Sequence, residues 1–89
     1  MKYLNWSSKK NEILKRERGI SFEEIAFLIE SGQIIGIEQN PGRSNQKLYI
    51  LEIDNYAVVV PFIENETEIF LKTAFPSRKH SKKYGLKEE

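Results

Sequence analysis

The chain is 89 residues long, carries 14 Lys/Arg against 13 Asp/Glu for a net charge of +1, and contains no Cys and a single His. That length holds one domain, and the Cys and His counts exclude a disulfide framework, thiol chemistry and a zinc site of the usual ligand set. No apolar run approaches the roughly 20 residues that cross a bilayer, the opening Met1–Trp6 lacks the apolar stretch of a secretory signal, and the Glu residues lack calcium-loop spacing; the expectation is a soluble, cytoplasmic domain that uses no metal and no cofactor.

In chain order, Tyr3–Trp6 reads as an edge strand. Ser7 is a helix N-cap, because its hydroxyl can accept from an otherwise unpaired backbone N–H. The helix it opens runs from Ser8 to Arg18 and stops at Gly19, which tolerates a left-handed cap. Its apolar stripe is thin, consisting of Ile13 and Leu14 over Trp6. A second helix follows Ser21, which stands three residues before Glu24 in capping-box spacing. Phe22, Ile25, Ala26 and Ile29 share one face of it, Phe27 falls on the opposite side, and Gly32 closes the segment.

From Gln33 the hydrophobic period changes from helical to strand-like. Ile34–Glu38 is a strand, Asn40–Asn45 a loop dense in turn formers, and Lys47–Ile53 a second strand. Asp54 and Asn55 both tolerate positive φ, so they predict a two-residue type I′ hairpin. Tyr56–Ile63 returns as an almost wholly apolar strand, which implies cover on both faces. Pro61 within it predicts a bulge or an edge with no N–H partner. Thr67–Ala74 is the last strand, Ser77 caps a short helix to Tyr84, and residues 85–89 are expected to form a disordered end. The fold class is α+β, a small single domain over residues 1–89. Two N-terminal helices pack on one face of an antiparallel β-meander, and a short basic C-terminal helix follows.

Charge is segregated at the C-terminal end. Between Lys72 and Lys87 there are six Lys/Arg, the only His and no Asp or Glu. A solvated basic tail explains this blandly; a surface that holds a phosphate backbone explains it with a function. Helix N-termini favour acidic residues in the first turn, yet Lys9 and Lys10 open the first helix and Arg78 and Lys79 open the last. Each misplacement costs a few tenths of a kcal/mol to about 1 kcal/mol, and each makes its terminus a stronger anion site. RNA is therefore the expected partner. Metal-free RNA cleavage needs a group at the 2′-OH, charge stabilisation at phosphorus and a proton for the leaving oxygen. Arg78 suits the second task as a bidentate phosphate ligand. Lys47, Lys72, Lys79, Lys82 and Lys83 add positive charge, His80 can carry a proton, and Tyr84 can stack on a base or donate a proton. The candidate catalytic residues are thus Arg78, His80, Lys47 and Tyr84, and the candidate RNA-binding residues are Lys72, Lys79, Lys82, Lys83, Lys9 and Lys10. Neither a Ser/His/Asp set nor a nucleotide-binding glycine motif is visible.

The order Trp6-Ser-Ser-Lys-Lys-Asn11, Arg18-Gly-Ile-Ser-Phe-Glu-Glu24, Ala74-Phe-Pro-Ser-Arg-Lys79 and Lys82-Lys-Tyr84 resembles the BrnT-type toxins of bacterial toxin–antitoxin pairs, over nearly the whole chain. The resemblance implies a RelE-like fold, a ribonuclease that arrests translation by cutting mRNA, free or on the ribosome, and a ribbon-helix-helix antitoxin as partner. Family members usually end the last strand with Ser-Ala-Arg and carry Glu-Arg in the final helix. This chain has Lys72-Thr73-Ala74 and His80-Ser81 there, so Lys72 or Arg78 would have to supply the missing guanidinium's charge. The alternatives are a non-catalytic RNA- or ribosome-binding module on the same basic patch, and a structural protein whose basic helix docks an acidic surface.

Overall fold

A computed structural model describes residues 2–86. Serine caps start all three helices. Ser7 takes extended backbone and accepts from the Lys10 N–H at 3.1 Å, which opens helix α1, Ser8–Arg18; Gly19 ends it at φ 67°. Ser21 does the same for α2, Phe22–Glu30, accepting from Glu24 N at 3.1 Å. Glu24 itself faces solvent, so only one half of the capping box forms. Ser77 caps α3, Arg78–Lys83, by accepting from His80 N. No helix among the described residues is long and apolar enough to cross a membrane.

The strands are β1 Tyr3–Trp6, β2 Ile34–Gln39, β3 Lys47–Ile53, β4 Tyr56–Glu64, β5 Glu68–Leu71 and β6 Phe75–Pro76. They form one sheet in the order β1-β5-β4-β3-β2, and β6 continues along β4 beyond the end of β5. Among the described residues, only the β1–β5 pair is parallel. Asp54 and Asn55 turn the β3–β4 hairpin at φ 55° and 65°, as the sequence predicts.

Alternation along β3 and β4 sorts their side chains onto two faces. Tyr49, Leu51, Val58, Val60 and Phe62 join Leu14, Ile20, Phe22 and Ile25 beneath α1 and α2. Leu48, Ile50, Ala57 and Val59 face the other way, under Tyr84 and Leu86. The unbroken apolar run of β4 is therefore covered on both sides, and α3 occupies the second face rather than joining the N-terminal helices. Each fully buried Phe, Ile or Leu contributes about 1.5–3 kcal/mol. The thin stripe of α1 is supplemented by Asn11, which is buried. Its Oδ1 accepts from Phe22 N at 2.8 Å, and its Nδ2 donates to both oxygens of Glu23 at 3.0 Å. That amide caps α2 from α1 and holds the Glu23 carboxyl below its ordinary range.

Two expectations need correction. The last strand is not continuous over Thr67–Ala74; it stops at Leu71 and resumes at Phe75. Phe62 pairs with Leu71 and Val59 with Phe75, so the β5–β6 side carries one residue more than β4 across the same stretch. That is a bulge, and it lies opposite Pro61. The Pro61 carbonyl accepts from Lys72 N at 2.8 Å, so the edge of Pro61 that lacks an N–H faces the last strand and cannot continue the ladder there. The second correction is at the end of the chain. Gly85, at φ 72°, donates to Lys82 O and Leu86 donates to Ser81 O at 2.8 Å. This Schellman closure of α3 orders both residues. Lys87–Glu89, the rest of the expected disordered end, lie outside the described residues.

Candidate functional site

The predicted site residues fall into three places. Six of them, Arg78, Lys79, His80, Lys82, Lys83 and Tyr84, belong to α3 and its cap. Lys47 stands at the start of β3, beside a small groove with Gln39, Ser44, Asn45, Phe62 and Glu64; it pairs with Phe62, whose side chain faces α1 and α2. It is not brought together with Arg78, His80 or Tyr84. Lys10 and Lys72 meet in a third place, an open cleft of about 730 Å³ at one end of the sheet. Lys9 is exposed on the same first turn as Lys10 but does not line the cleft.

α3 is too short to persist alone, and it is pinned at both ends. Ser77 N donates to Ala57 O at 2.9 Å. Ser81, 0% exposed, accepts from Ala57 N at 2.8 Å and donates to Ser77 O at 2.9 Å. At the other end Glu38 of β2 gathers three partners. Its carboxylate accepts from Tyr84 Oη at 2.6 Å, pairs with Lys83 Nζ at 2.8 Å and faces His80 Nε2 at 3.3 Å. Lys83 foremost, then Tyr84 and, more weakly, His80, hold the Glu38 carboxyl down at about 2 against the cost of its partial burial. The same carboxylate raises the Tyr84 hydroxyl above its ordinary value. Gly36, two residues earlier on the same strand, makes room for this contact: a Cβ there would lie 2.3 Å from Tyr84 Oη. It sits where the β2–β3 register shifts.

Nε2 of His80 faces the Glu38 carboxylate at 3.3 Å, and Nδ1 faces Ser77 Oγ at 2.8 Å. Both ring nitrogens and the Tyr84 hydroxyl are thus engaged within the protein. The row Ser77–His80–Glu38 has the connectivity of a nucleophile, base and carboxylate. Its Ser77 oxygen is the cap of α3, however, and its carboxylate also holds Lys83 and Tyr84. The row is the wiring of an anchor. Arg78, Lys79 and Lys82 remain exposed on the outer surface of α3 and have no ion-pair partner among the described residues.

The cleft is built differently. Its lining is Ser7, Lys10, Asn40, Arg43, Gln46, Pro61, Phe70, Lys72 and Thr73. The N-terminal turn of α1 supplies Lys10 together with the positive end of the helix dipole. The bulge opposite Pro61 presents the consecutive residues Lys72 and Thr73 to one side. Arg43 comes from the β2–β3 loop, which is fixed by its own hydrogen bonds. Asn40 N donates to Gln46 O, Arg43 N to Asn40 O, Gln46 N to Arg43 O, and Asn40 Nδ2 to Gln46 Oε1 at 3.2 Å. Three cations converge on one concavity whose lining, among the described residues, contains no Asp or Glu. Among the described residues, none of the three is ion-paired.

Sequence reasoning missed Arg43, Phe70 and Glu38. Arg43 sits among turn formers and reads as part of a loop; Glu38 alternates with apolar neighbours and reads as a solvated strand residue. Phe27, expected off the core face, is 63% exposed. No protein family, characterised protein or solved structure matches this chain.

Proposed function

We propose that the protein binds RNA through the Lys10–Arg43–Lys72 cleft and acts in the cytoplasm as the toxin of a bacterial toxin–antitoxin pair. One observation carries the RNA reading: three cations converge, with no carboxylate in the lining among the described residues, in a molecule whose charges otherwise nearly cancel. Phosphate backbones select such a surface, and the hydrogen-bonded loop that carries Arg43 spares the cost of ordering its backbone on binding. The toxin reading, and the ribbon-helix-helix antitoxin that goes with it, rest on the succession of motifs from Trp6 to Tyr84.

On that reading the reaction is metal-independent cleavage of the strand. The 2′-hydroxyl gives its proton to solvent as its oxygen attacks phosphorus, and the bond to the 5′-oxygen breaks to leave a 2′,3′-cyclic phosphate. Arg43 replaces the strand-end guanidinium that the resemblance leads one to look for, and it stabilises the charge that builds on the phosphoryl oxygens. The ammonium groups of Lys10 and Lys72 supply further charge and a proton for the departing oxygen. A second reading, a non-catalytic RNA- or ribosome-binding module, is favoured by a specific observation: His80 and Tyr84, the groups best suited to proton transfer, are committed to Glu38 and do not line the cleft.

One set of measurements separates these readings. The purified protein should bind a labelled RNA oligonucleotide with an affinity that falls about tenfold to twentyfold between 50 and 200 mM salt, as roughly three phosphate contacts on a single strand require. Arg43→Ala with Lys72→Ala should weaken binding about a hundredfold. Induced expression of the wild-type chain should arrest growth, and the double variant should relieve the arrest. Arrest with intact cellular RNA selects the non-catalytic module. Affinity untouched by salt and by the double substitution removes the RNA assignment.

A further inference from the structure

We infer that the cleft takes single-stranded rather than duplex RNA, with a base stacked on Phe70 and the strand continuing across the uncovered part of the sheet toward Tyr3; this rests on the RNA reading above. The inference starts from where α3 stops. That helix and the residues after it cover Leu48, Ile50, Ala57 and Val59, which belong to β3 and the Tyr56-proximal half of β4. On the same face, among the described residues, no buried cluster covers the β1–β5 end of the sheet, where Phe70 is half-buried. Leu4 and Ile69 pack with the core on the α1/α2 face, so their neighbours Tyr3, Asn5 and Phe70 point the other way. Tyr3 is 75% exposed and Asn5 is exposed.

Among the described residues, Phe70 is the one aromatic in the lining of the cationic cleft. The ammonium of Lys72 lies 5.4 Å from its ring centroid, so a cation already rests beside a ring in the place where a nucleotide would need both. A phosphate that draws Lys72 off the ring leaves the ring for the attached base. Asn5 pairs with Phe70 and Tyr3 with Glu68 across β1 and β5. Strand rise and spacing therefore place Tyr3 and Phe70 about 8 Å apart at their Cα atoms. A second aromatic thus stands along the path of a strand that leaves the cleft over the sheet. Stacking on side chains requires bases that are not paired and buried in a helix; duplex RNA offers only phosphates and 2′-hydroxyls to such a surface.

The test compares three RNAs of equal length by fluorescence anisotropy: a labelled single strand, its duplex, and a single strand in which the central nucleotides are abasic. The abasic strand keeps its phosphates and loses only the bases. The intact protein should bind the single strand about tenfold tighter than either of the others. Phe70→Leu should lose about tenfold on the normal strand and nothing on the abasic one, and Tyr3→Leu should lose less. Equal affinity for the normal and abasic strands overturns the inference, as does a duplex that competes as well as the single strand. The abasic comparison needs no substitution, so it decides the matter even where Phe70→Leu fails to fold. A loss of binding confined to Arg43→Ala with Lys72→Ala supports the cleft and rejects the stacking. Binding indifferent to that pair rejects the underlying RNA reading.

Discussion

The two basic regions of this molecule differ in what their charge is tied to. At α3 the cations are dense in sequence, but the functional-looking groups among them are spent on Glu38. Lys83 pairs with it, Tyr84 donates to it, and His80 bridges it to Ser77. The cleft draws on Lys10, Arg43 and Lys72, which are spread over 62 positions of the chain and gathered only by folding. Linear charge density marks a surface that water can reach; convergence without a carboxylate marks a surface that still needs an anion. The difference matters because a phosphate gains most where several donors already point at one volume.

The largest expected effect that separates the two regions is on RNA affinity. The hundredfold loss expected for Arg43→Ala with Lys72→Ala corresponds to about 2.7 kcal/mol, while the same variant should melt within about 0.5 kcal/mol of the wild type, because both side chains are surface groups. A variant that binds normally but unfolds early would reverse the roles assigned here to cleft and anchor.

The next effect is on stability and belongs to the anchor. Ser81→Ala removes the acceptor of the buried Ala57 N–H and the donor to Ser77 O. Leaving a buried backbone donor unsatisfied costs about 1–3 kcal/mol, so urea denaturation should show a loss near 2 kcal/mol, with RNA affinity in the folded protein unchanged. A neutral substitution would mean that α3 is not held to β4 through this hydroxyl.

Most of the fold is legible in the sequence because its signals are local. The serine caps, the left-handed Gly19 and the positive φ of Asp54 and Asn55 each depend on a few adjacent residues. The broken last strand was not legible as such. Thr67–Ala74 has uninterrupted strand character of its own, and the cause of the break is Pro61, on the neighbouring strand. Pro61 signalled a fault, but nothing local says which partner strand absorbs it. The cleft and the anchor were hidden for the same reason: Glu38 meets His80 across 42 positions, and Arg43 joins a cationic cleft only once Lys10 and Lys72 stand beside it. Asn11, a polar residue in a stripe otherwise judged by its apolar neighbours, acquires its role only when α2 starts beneath it.

A smaller effect sharpens the anchor through pH. Glu38 has its carboxyl held at about 2 in the folded protein, against an ordinary value of 4.5. A depressed carboxyl stabilises fully above its unfolded value and loses that contribution as pH falls toward the folded one. Stability should therefore decline as pH drops from about 4.5 to about 2, and part of that decline should be missing in Glu38→Gln. At neutral pH, Glu38→Gln keeps an acceptor for Tyr84 but loses the charge that holds Lys83, whose side chain is 56% exposed. Solvent screening limits that loss to about 1 kcal/mol. Thermal melts of both proteins across this window measure the difference, and parallel curves would show that Glu38 does not carry the anchor's acid sensitivity.

The smallest effect is the one that the sequence alone would rank first. Arg78 and Lys79 stand exposed at the start of α3, on a surface with no second wall to close around a phosphate. Converting both to Ala should change RNA affinity by about threefold or less, through the loss of long-range charge rather than of contacts. The residual effect should vanish near 0.2 M salt, where the Debye length drops below about 8 Å. Removing them also relieves unfavourable charge in the first turn of α3, so stability should rise by a few tenths of a kcal/mol. A loss as large as that of the cleft pair, persisting at high salt, would mean that α3 is itself a wall of the binding site. The phosphate path would then have to cross from Lys72 over Phe75 to Arg78, along the bulged strand that joins the two basic regions.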